Sequence, residues 1–201
     1  MIGICPKCGS TEWNKEVNED EITCPDCGYQ WKFKKKPVFI LTGCSGVGKT
    51  TTAMELQKIT YRFVVLDGDF IHNMLWPQSQ DDYYNMVEQI LSLTKNINQS
   101  DKMVIWSCAG NLEKFPRVYS ARFVSEIKIL ALTADSEEIR KRMTEGRGIG
   151  DEEWIQSSID YNEYLKNHDH LEESKFETLD CTGETPSQVA KKFWTGLRTW
   201  L

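Results

Sequence analysis

The 201-residue chain has no apolar run near the roughly 18 residues that a membrane-spanning helix needs. Its first ten residues hold no apolar stretch behind a basic segment, so a secretory signal is not expected. There is no excess of basic residues. With 24 Lys and Arg against 30 Asp and Glu the net charge is −6, which argues against broad, non-specific binding to nucleic acid, since that binding depends on neutralising phosphates. Low-complexity tracts are missing, and the only internal repeat is a pair of cysteine knuckles. With 40% hydrophobic and 27% charged residues the composition excludes a disordered chain. The length allows one domain plus a small module, with a core large enough to do without disulfides.

Seven cysteines are present, and four stand in two like-patterned pairs, Cys5-Pro6-Lys7-Cys8-Gly9 and Cys24-Pro25-Asp26-Cys27-Gly28. Two thiolates in a Cys-x-x-Cys turn can bind one ion together, and the glycine after the second allows the backbone to curl its amides toward sulfur. Two such turns make a closed four-thiolate site, which predicts structural zinc on Cys5, Cys8, Cys24 and Cys27 in a reducing, cytoplasmic setting. This module resembles the short zinc ribbons at the front of many bacterial proteins. Trp13, Tyr29, Trp31 and Phe33 are expected to form its mini-core. Residues 34–37, Lys-Lys-Lys-Pro, read as a solvated linker, which divides the chain into a ribbon with its basic linker at 1–36 and a second domain at 37–201.

From Val38 onward apolar strands alternate with amphipathic helices, the pattern of an α/β domain with a parallel sheet. Strands are expected at 38–42, 63–66, 103–106, 127–132 and 176–180, and helices at 49–59, 81–97, 135–143 and 151–166. A last helix should be opened by Thr185, Pro186 and Gln188, with Val189, Phe193, Leu197 and Trp200 on its buried face. Asp135 and Glu138 have the spacing of a capping box.

Gly43-Cys44-Ser45-Gly46-Val47-Gly48-Lys49-Thr50 fits G-x-x-x-x-G-K-[ST] between a strand and a helix. Its glycines let backbone amides wrap a phosphate at the helix N-terminus. Gly43, Ser45, Gly46, Val47, Gly48, Lys49, Thr50 and Thr51 are therefore expected to bind ATP. Lys49 would reach the β- and γ-phosphates and Thr50 would hold Mg²⁺. Cys44 reads as a loop filler with no base beside it. The second strand runs into Asp67-Gly68-Asp69, two carboxylates at the strand edge where open α/β sheets bind ligands. One can hold Mg²⁺ and the other can orient or deprotonate an acceptor hydroxyl. The third strand ends in Ser107 with no acid, and no Asn-Lys-x-Asp guanine motif is present, which disfavours an ordinary ATPase and a GTPase.

Residues 43–51 together with Leu66-Asp67-Gly68-Asp69-Phe70-Ile71-His72 resemble the phosphate-loop small-molecule kinases: gluconate, adenylylsulfate, shikimate, and nucleoside or nucleotide kinases. The resemblance runs over about 37–201. Gly-Asp-x-x-His most resembles gluconate kinase. Asp82-Tyr83-Tyr84-Asn85, Ser107-Cys108-Ala109-Gly110 and the lid region instead resemble a looser group of bacterial nucleotide-kinase-like proteins. The resemblance implies a five-stranded parallel sheet of order 2-3-1-4-5. It implies that Asp69 contacts the acceptor hydroxyl, that Asp67 sits by Mg²⁺, that Arg142 packs on adenine, and that Arg147, on a glycine-rich loop at 145–150, reaches phosphate. Phe70, His72, Trp76, Tyr83 and Tyr84 are candidates for the acceptor wall, and Arg117 and Arg122 for an anion contact there.

The resulting expectation is an ATP- and Mg²⁺-dependent kinase acting on a hydroxyl or phosphate of a nucleoside, nucleotide or sugar acid. Two alternatives stay open. One is a nucleic-acid kinase guided by the ribbon, and the other is a non-catalytic ATP-binding switch whose ribbon recruits a protein partner.

Overall fold

The computed structural model describes residues 2–59 and 61–199. Trp200, expected on the last helix, lies outside the described residues. Three short strands, β1 (Glu16–Asn18), β2 (Glu21–Thr23) and β3 (Gln30–Lys32), form an antiparallel sheet in that order. Then follow β4 (Val38–Gly43), α1 (Lys49–Ile59), β5 (Phe63–Asp67), α2 (Gly68–Leu75), α3 (Gln80–Asn98) and β6 (Met103–Ser107). Two 3-10 turns, Leu112–Arg117 and Tyr119–Phe123, lead to β7 (Ile127–Thr133), α4 (Ser136–Arg147) and α5 (Glu152–Asn167). A two-stranded hairpin, β8 (His170–Leu171) and β9 (Ser174–Lys175), precedes β10 (Glu177–Asp180) and α6 (Pro186–Thr199).

The main sheet is parallel with order β10-β7-β4-β6-β5, which is the expected 2-3-1-4-5 when its strands are counted along the chain. The central strand β4 is buried along its whole length, as a strand with helices on both faces must be. Phe39 and Leu41 enter the apolar layer that includes Leu56 of α1 and Phe193 of α6. Val38 and Ile40 enter the opposite layer, with Val87, Ile90 and Leu91 of α3. This alternation is the period of two of a strand. Trp106 of β6 is buried and its indole N–H donates to Thr94 Oγ1 at 2.8 Å, which pins α3 to the sheet.

Local signals explain most helix starts. Asp151 accepts from the Trp154 amide at 3.0 Å. Thr185 and Gln188 form both bonds of a capping box. The Asp135–Glu138 box does not form: Asp135 makes no side-chain cap. Its carboxylate lies 3.9 Å from the Lys166 ammonium, and Glu138 instead pairs with Arg142 and accepts from the Gly183 amide. Helix α4 also runs four residues past Met143, to Arg147. Gly146 is accommodated within it, and Gly148 supplies the left-handed turn, φ 66°, that ends it.

The cysteine-bearing sheet is fastened to the α/β body. Ile2, Ile22 and Phe33 bury against Phe123, and the Tyr119 hydroxyl donates to the Lys15 carbonyl at 2.8 Å. Residues 34–36 are not a free linker. Gln99 exchanges two hydrogen bonds with the Lys34 backbone, at 3.0 and 3.1 Å, and Lys34 and Lys36 both pair with Asp101. Of the four aromatics expected in the mini-core only Phe33 is buried. Trp31 is half-buried, Trp13 is 72% exposed with its ring centroid 5.4 Å from that of Tyr119, and Tyr29 stacks on Trp31 at the surface. A three-residue strand has too few inward positions to bury more.

Candidate active site

The site forms at the C-terminal edges of β4, β5 and β6. The turn after β4 is tight: Gly43, Gly46 and Gly48 all have positive φ. At Gly43, φ 143°, a Cβ would stand 2.6 Å from the Leu132 carbonyl oxygen, so the loop can leave the sheet there only without a side chain. The loop bends into the N-terminus of α1, where amides lack intrahelical partners. The Lys49 ammonium folds over the loop and donates to the Gly43 and Cys44 carbonyls at 2.9 and 2.8 Å. Burial pulls the Lys49 pKa down, the Asp69 carboxylate pushes it back up, and Arg147 pulls it further down. Lys49 and Arg147 are thus two nearby cations with one carboxylate between them in charge terms, a field that favours an anion. Cys44 is buried and its thiol is pushed up to about 11, chiefly by burial, so it stays protonated as a filler should.

Asp67 and Asp69 have different jobs. Residues 67–69 do not make a solvated turn, because the chain passes straight into α2. Asp67 is that helix's N-cap and accepts from the Asp69 amide at 3.0 Å. Its backbone is in register with Ser107 of β6, so the acid missing from the third strand stands one strand over. Between the two acids, Gly68 allows close approach: a Cβ would meet Cys108 Sγ at 2.7 Å and the Ser107 carbonyl at 2.9 Å. Gly68→Ala should therefore wedge β5 from β6. We expect about 1–3 kcal/mol of lost stability in urea unfolding, and an unchanged midpoint would show that the contact relaxes freely.

Asp69 faces two cavities. The larger, about 670 Å³, is lined by the phosphate loop from Ser45 to Thr52, by Arg142 and Arg147 of α4, and by Trp154, Cys181, Glu184 and Pro186. The smaller, about 350 Å³, lies between α2, α3 and the segment after β6, with His72, Asn73, Tyr83, Asn111 and Phe115 in its wall. Asp69 and Ala109 are common to both. Arg142 donates to the Val47 carbonyl at 2.8 Å and holds α4 against the phosphate loop. Arg147 ends α4 rather than riding a loose loop, with its guanidinium 5.7 Å from the Trp154 ring centroid. Arg140 is outside the cavity, paired with Glu152 at 2.6 Å.

Phe70, Trp76 and Tyr84 line neither of these two cavities. Phe70 is the residue after Asp69 on a helix, turned about 100° away, and is 65% exposed. Trp76 closes α2 in a left-handed conformation, its ring 66% exposed. Tyr83 and Tyr84 are neighbours on α3, and Tyr84 turns instead toward Lys114, 5.4 Å from its ring centroid. Arg117 pairs with Glu172 and Glu173, and Arg122 lies over the Tyr119 ring, so neither reaches the smaller cavity. Sequence reasoning missed Asn73 and Asn111 in one cavity and Trp154, Cys181 and Glu184 in the other. The strand-edge rule points to Cys181 and Glu184, which directly follow β10, while no pattern singles out the asparagines.

At the cysteine knuckles, all four sulfurs lie within 4.8 Å of one another. Cys5–Cys27 and Cys8–Cys24 are 3.8 and 3.7 Å apart. A tetrahedral ion with 2.3 Å bonds to sulfur requires S···S separations of about 3.8 Å, so the donor set fits zinc.

A family described as an AAA domain matches residues 40–166, more than half of the chain. The chain belongs to that AAA-domain family. No curated protein matches it. Among solved structures, a sugar kinase from Janibacter sp. HTCC2649 superposes with a TM-score of 0.60 at 17% identity, covering 82% of this chain and 95% of its own. A gluconokinase from Sinorhizobium meliloti 1021 gives 0.58 at 17%, covering 85% and 95%. The Mycobacterium tuberculosis APS kinase in complex with AMPPNP and APS gives 0.59 at 14%, covering 83% and 99%. At these identities the likeness establishes the shared fold of this AAA-domain chain: a parallel five-stranded sheet with a phosphate loop after its central strand. No helix among the described residues is long and apolar enough to cross a membrane.

Proposed function

We propose that the protein is an ATP- and Mg²⁺-dependent kinase that transfers the γ-phosphoryl group to a hydroxyl of a small metabolite. One observation carries the reading: Asp69 stands where a cavity lined by the phosphate loop meets a second, smaller cavity. A non-catalytic ATP switch has no need of that second chamber or of a carboxylate at the junction.

ATP would lie in the larger cavity, its phosphates on the amides of residues 45–51 and on Lys49, with Arg142 beside the nucleotide and Arg147 at the terminal phosphate. Mg²⁺ would be held by Thr50 and by the Asp67 oxygen not used in capping, and it would neutralise phosphate charge. An acceptor hydroxyl in the smaller cavity attacks the γ-phosphorus, the bond to the β–γ bridging oxygen breaks, the hydroxyl proton passes to Asp69, and ADP leaves. Catalysis is mainly positioning and charge neutralisation. The fold neighbours named as sugar kinase, gluconokinase and APS kinase support this reading.

Zn²⁺ would be bound by Cys5, Cys8, Cys24 and Cys27 in a structural role, since four thiolates leave no open position. A four-thiolate site together with the buried thiols of Cys44, Cys108 and Cys181 suits a reducing cytoplasm. The Tyr29–Trp31 stack with Lys7 5.7 Å from the Tyr29 centroid keeps a nucleic-acid-guided kinase as the second reading. Steeply salt-dependent oligonucleotide binding that is lost on removing Trp31 would favour it.

The test is a radiolabelled ATP transfer screen over nucleosides, nucleotides, sugars and sugar acids, with Lys49→Ala as control. A labelled phosphoester is expected from the native protein, and at least about 100-fold less from the variant. Equal transfer by Lys49→Ala would refute the site.

A further inference from the structure

The proposed acceptor chamber has a distinctive charge pattern. Its polar wall consists of Asp69, His72, Asn73, Tyr83 and Asn111, and no Lys or Arg lines it among the described residues. The basic residues that follow Asn111 in the chain are spoken for. Lys114 is buried and paired with Glu113, and Arg117 lies 2.7 Å from Glu172. Lys49 and Arg147 belong to the phosphate chamber. An acceptor bearing a carboxylate or phosphate would thus find no cation in the chamber's own lining and would face Asp69, which Lys49 opposes only from the phosphate chamber.

What the wall does offer is amides. Among the described residues, neither the Asn73 nor the Asn111 side chain makes a hydrogen bond, so both keep donors and acceptors for a ligand. Asn111 holds a left-handed backbone, φ 56°, a conformation asparagine tolerates better than most residues and one that recurs at ligand sites. Met86 and Phe115 add apolar surface to the wall. A volume near 350 Å³ is at the low end for ligand cavities and suits a single small molecule.

We infer that the acceptor is an uncharged hydroxyl compound of the nucleoside or sugar class, with groups for amide hydrogen bonds and some apolar surface, and that acids and phosphate esters are excluded. The inference rests on the kinase reading for the word acceptor, but the charge preference of the chamber can be measured without turnover.

The experiment is calorimetry on the full chain with AMPPNP and Mg²⁺ occupying the nucleotide site, at one fixed pH and salt concentration. Matched pairs are titrated: thymidine against thymidine 5′-monophosphate, and sorbitol against gluconate. The neutral member of at least one pair should bind about 10- to 100-fold tighter than its anionic partner, the size of a like-charge contact at partly screened separation. Asp69→Asn should narrow that gap about tenfold, and Asn111→Arg should reverse it. Equal or tighter binding of the anionic member in both pairs overturns the inference. Replacing AMPPNP with ATP in the same samples separates the two claims. Neutral binding without transfer leaves the charge preference standing and refutes the kinase, while transfer to the anionic member alone does the opposite.

Discussion

Asp69→Asn is expected to lower phosphoryl transfer by about 1,000-fold, within the range that a positioned general base contributes, and to leave ATP affinity within about twofold. The substitution is close to isosteric. The hydrogen bond that opens α2 uses the Asp69 backbone amide and the Asp67 carboxylate, so it survives. Loop amides and Lys49 remain in place for the phosphates. What is lost is a carboxylate at the junction of the two cavities, where an incoming hydroxyl must shed its proton. The loss should therefore appear in kcat and not in the KM for ATP. Near-native kcat would remove Asp69 from the reaction, and a collapse of ATP binding would mean that it acts by shaping the phosphate site.

Removing zinc should unfold the cysteine-bearing sheet while the main sheet stays folded. Among its described residues the small module buries only Ile2, Ile22 and Phe33 as large apolar side chains, and these lean on Phe123 in the turn before β7. That is too little burial to hold three three-residue strands without a crosslink. Four thiolates around one ion would supply it, since metal affinity becomes folding free energy where the unfolded chain has no site. Chelation, or Cys8→Ser, should abolish hydrogen-exchange protection at Ile22 and Trp31 and leave Ile40 and Ile105 protected. Full protection at Ile22 after stoichiometric zinc removal would show that docking against Phe123 suffices.

The main sheet was legible because its strands are short apolar runs bounded by turn residues, and because a phosphate loop fixes the register of strand, loop and helix at 38–59. The Asp151 and Thr185 helix starts were legible too, each carrying its own cap. Helix α2 was not. It is eight residues long, it opens on Asp-Gly-Asp, which reads as a turn, and its cap is Asp67, a residue whose chemistry drew attention away from its backbone role. Phe70 reads as a site residue because it follows Asp69 in the chain, whereas helical rotation separates the two side chains. The Asp135 cap gave way to other partners: Lys166 of α5 lies by Asp135, and Glu138 is taken by Arg142 one turn along the same helix and by the Gly183 amide. Lys34 and Lys36 read as solvated because their partners, Gln99 and Asp101, lie more than sixty residues on in the chain. Asn73 and Asn111 carry no local pattern, and only the closing of α2 and the post-β6 segment around one cavity brings them together.

The kinase reading is tested most directly by crystals grown with AMPPNP, Mg²⁺ and a neutral acceptor such as thymidine. The γ-phosphate should lie against Lys49 and Arg147 at the Asp69 end of the larger cavity, with an acceptor hydroxyl between it and the Asp69 carboxylate. A terminal phosphate pointing away from Asp69, with that carboxylate turned to bulk water, would contradict it.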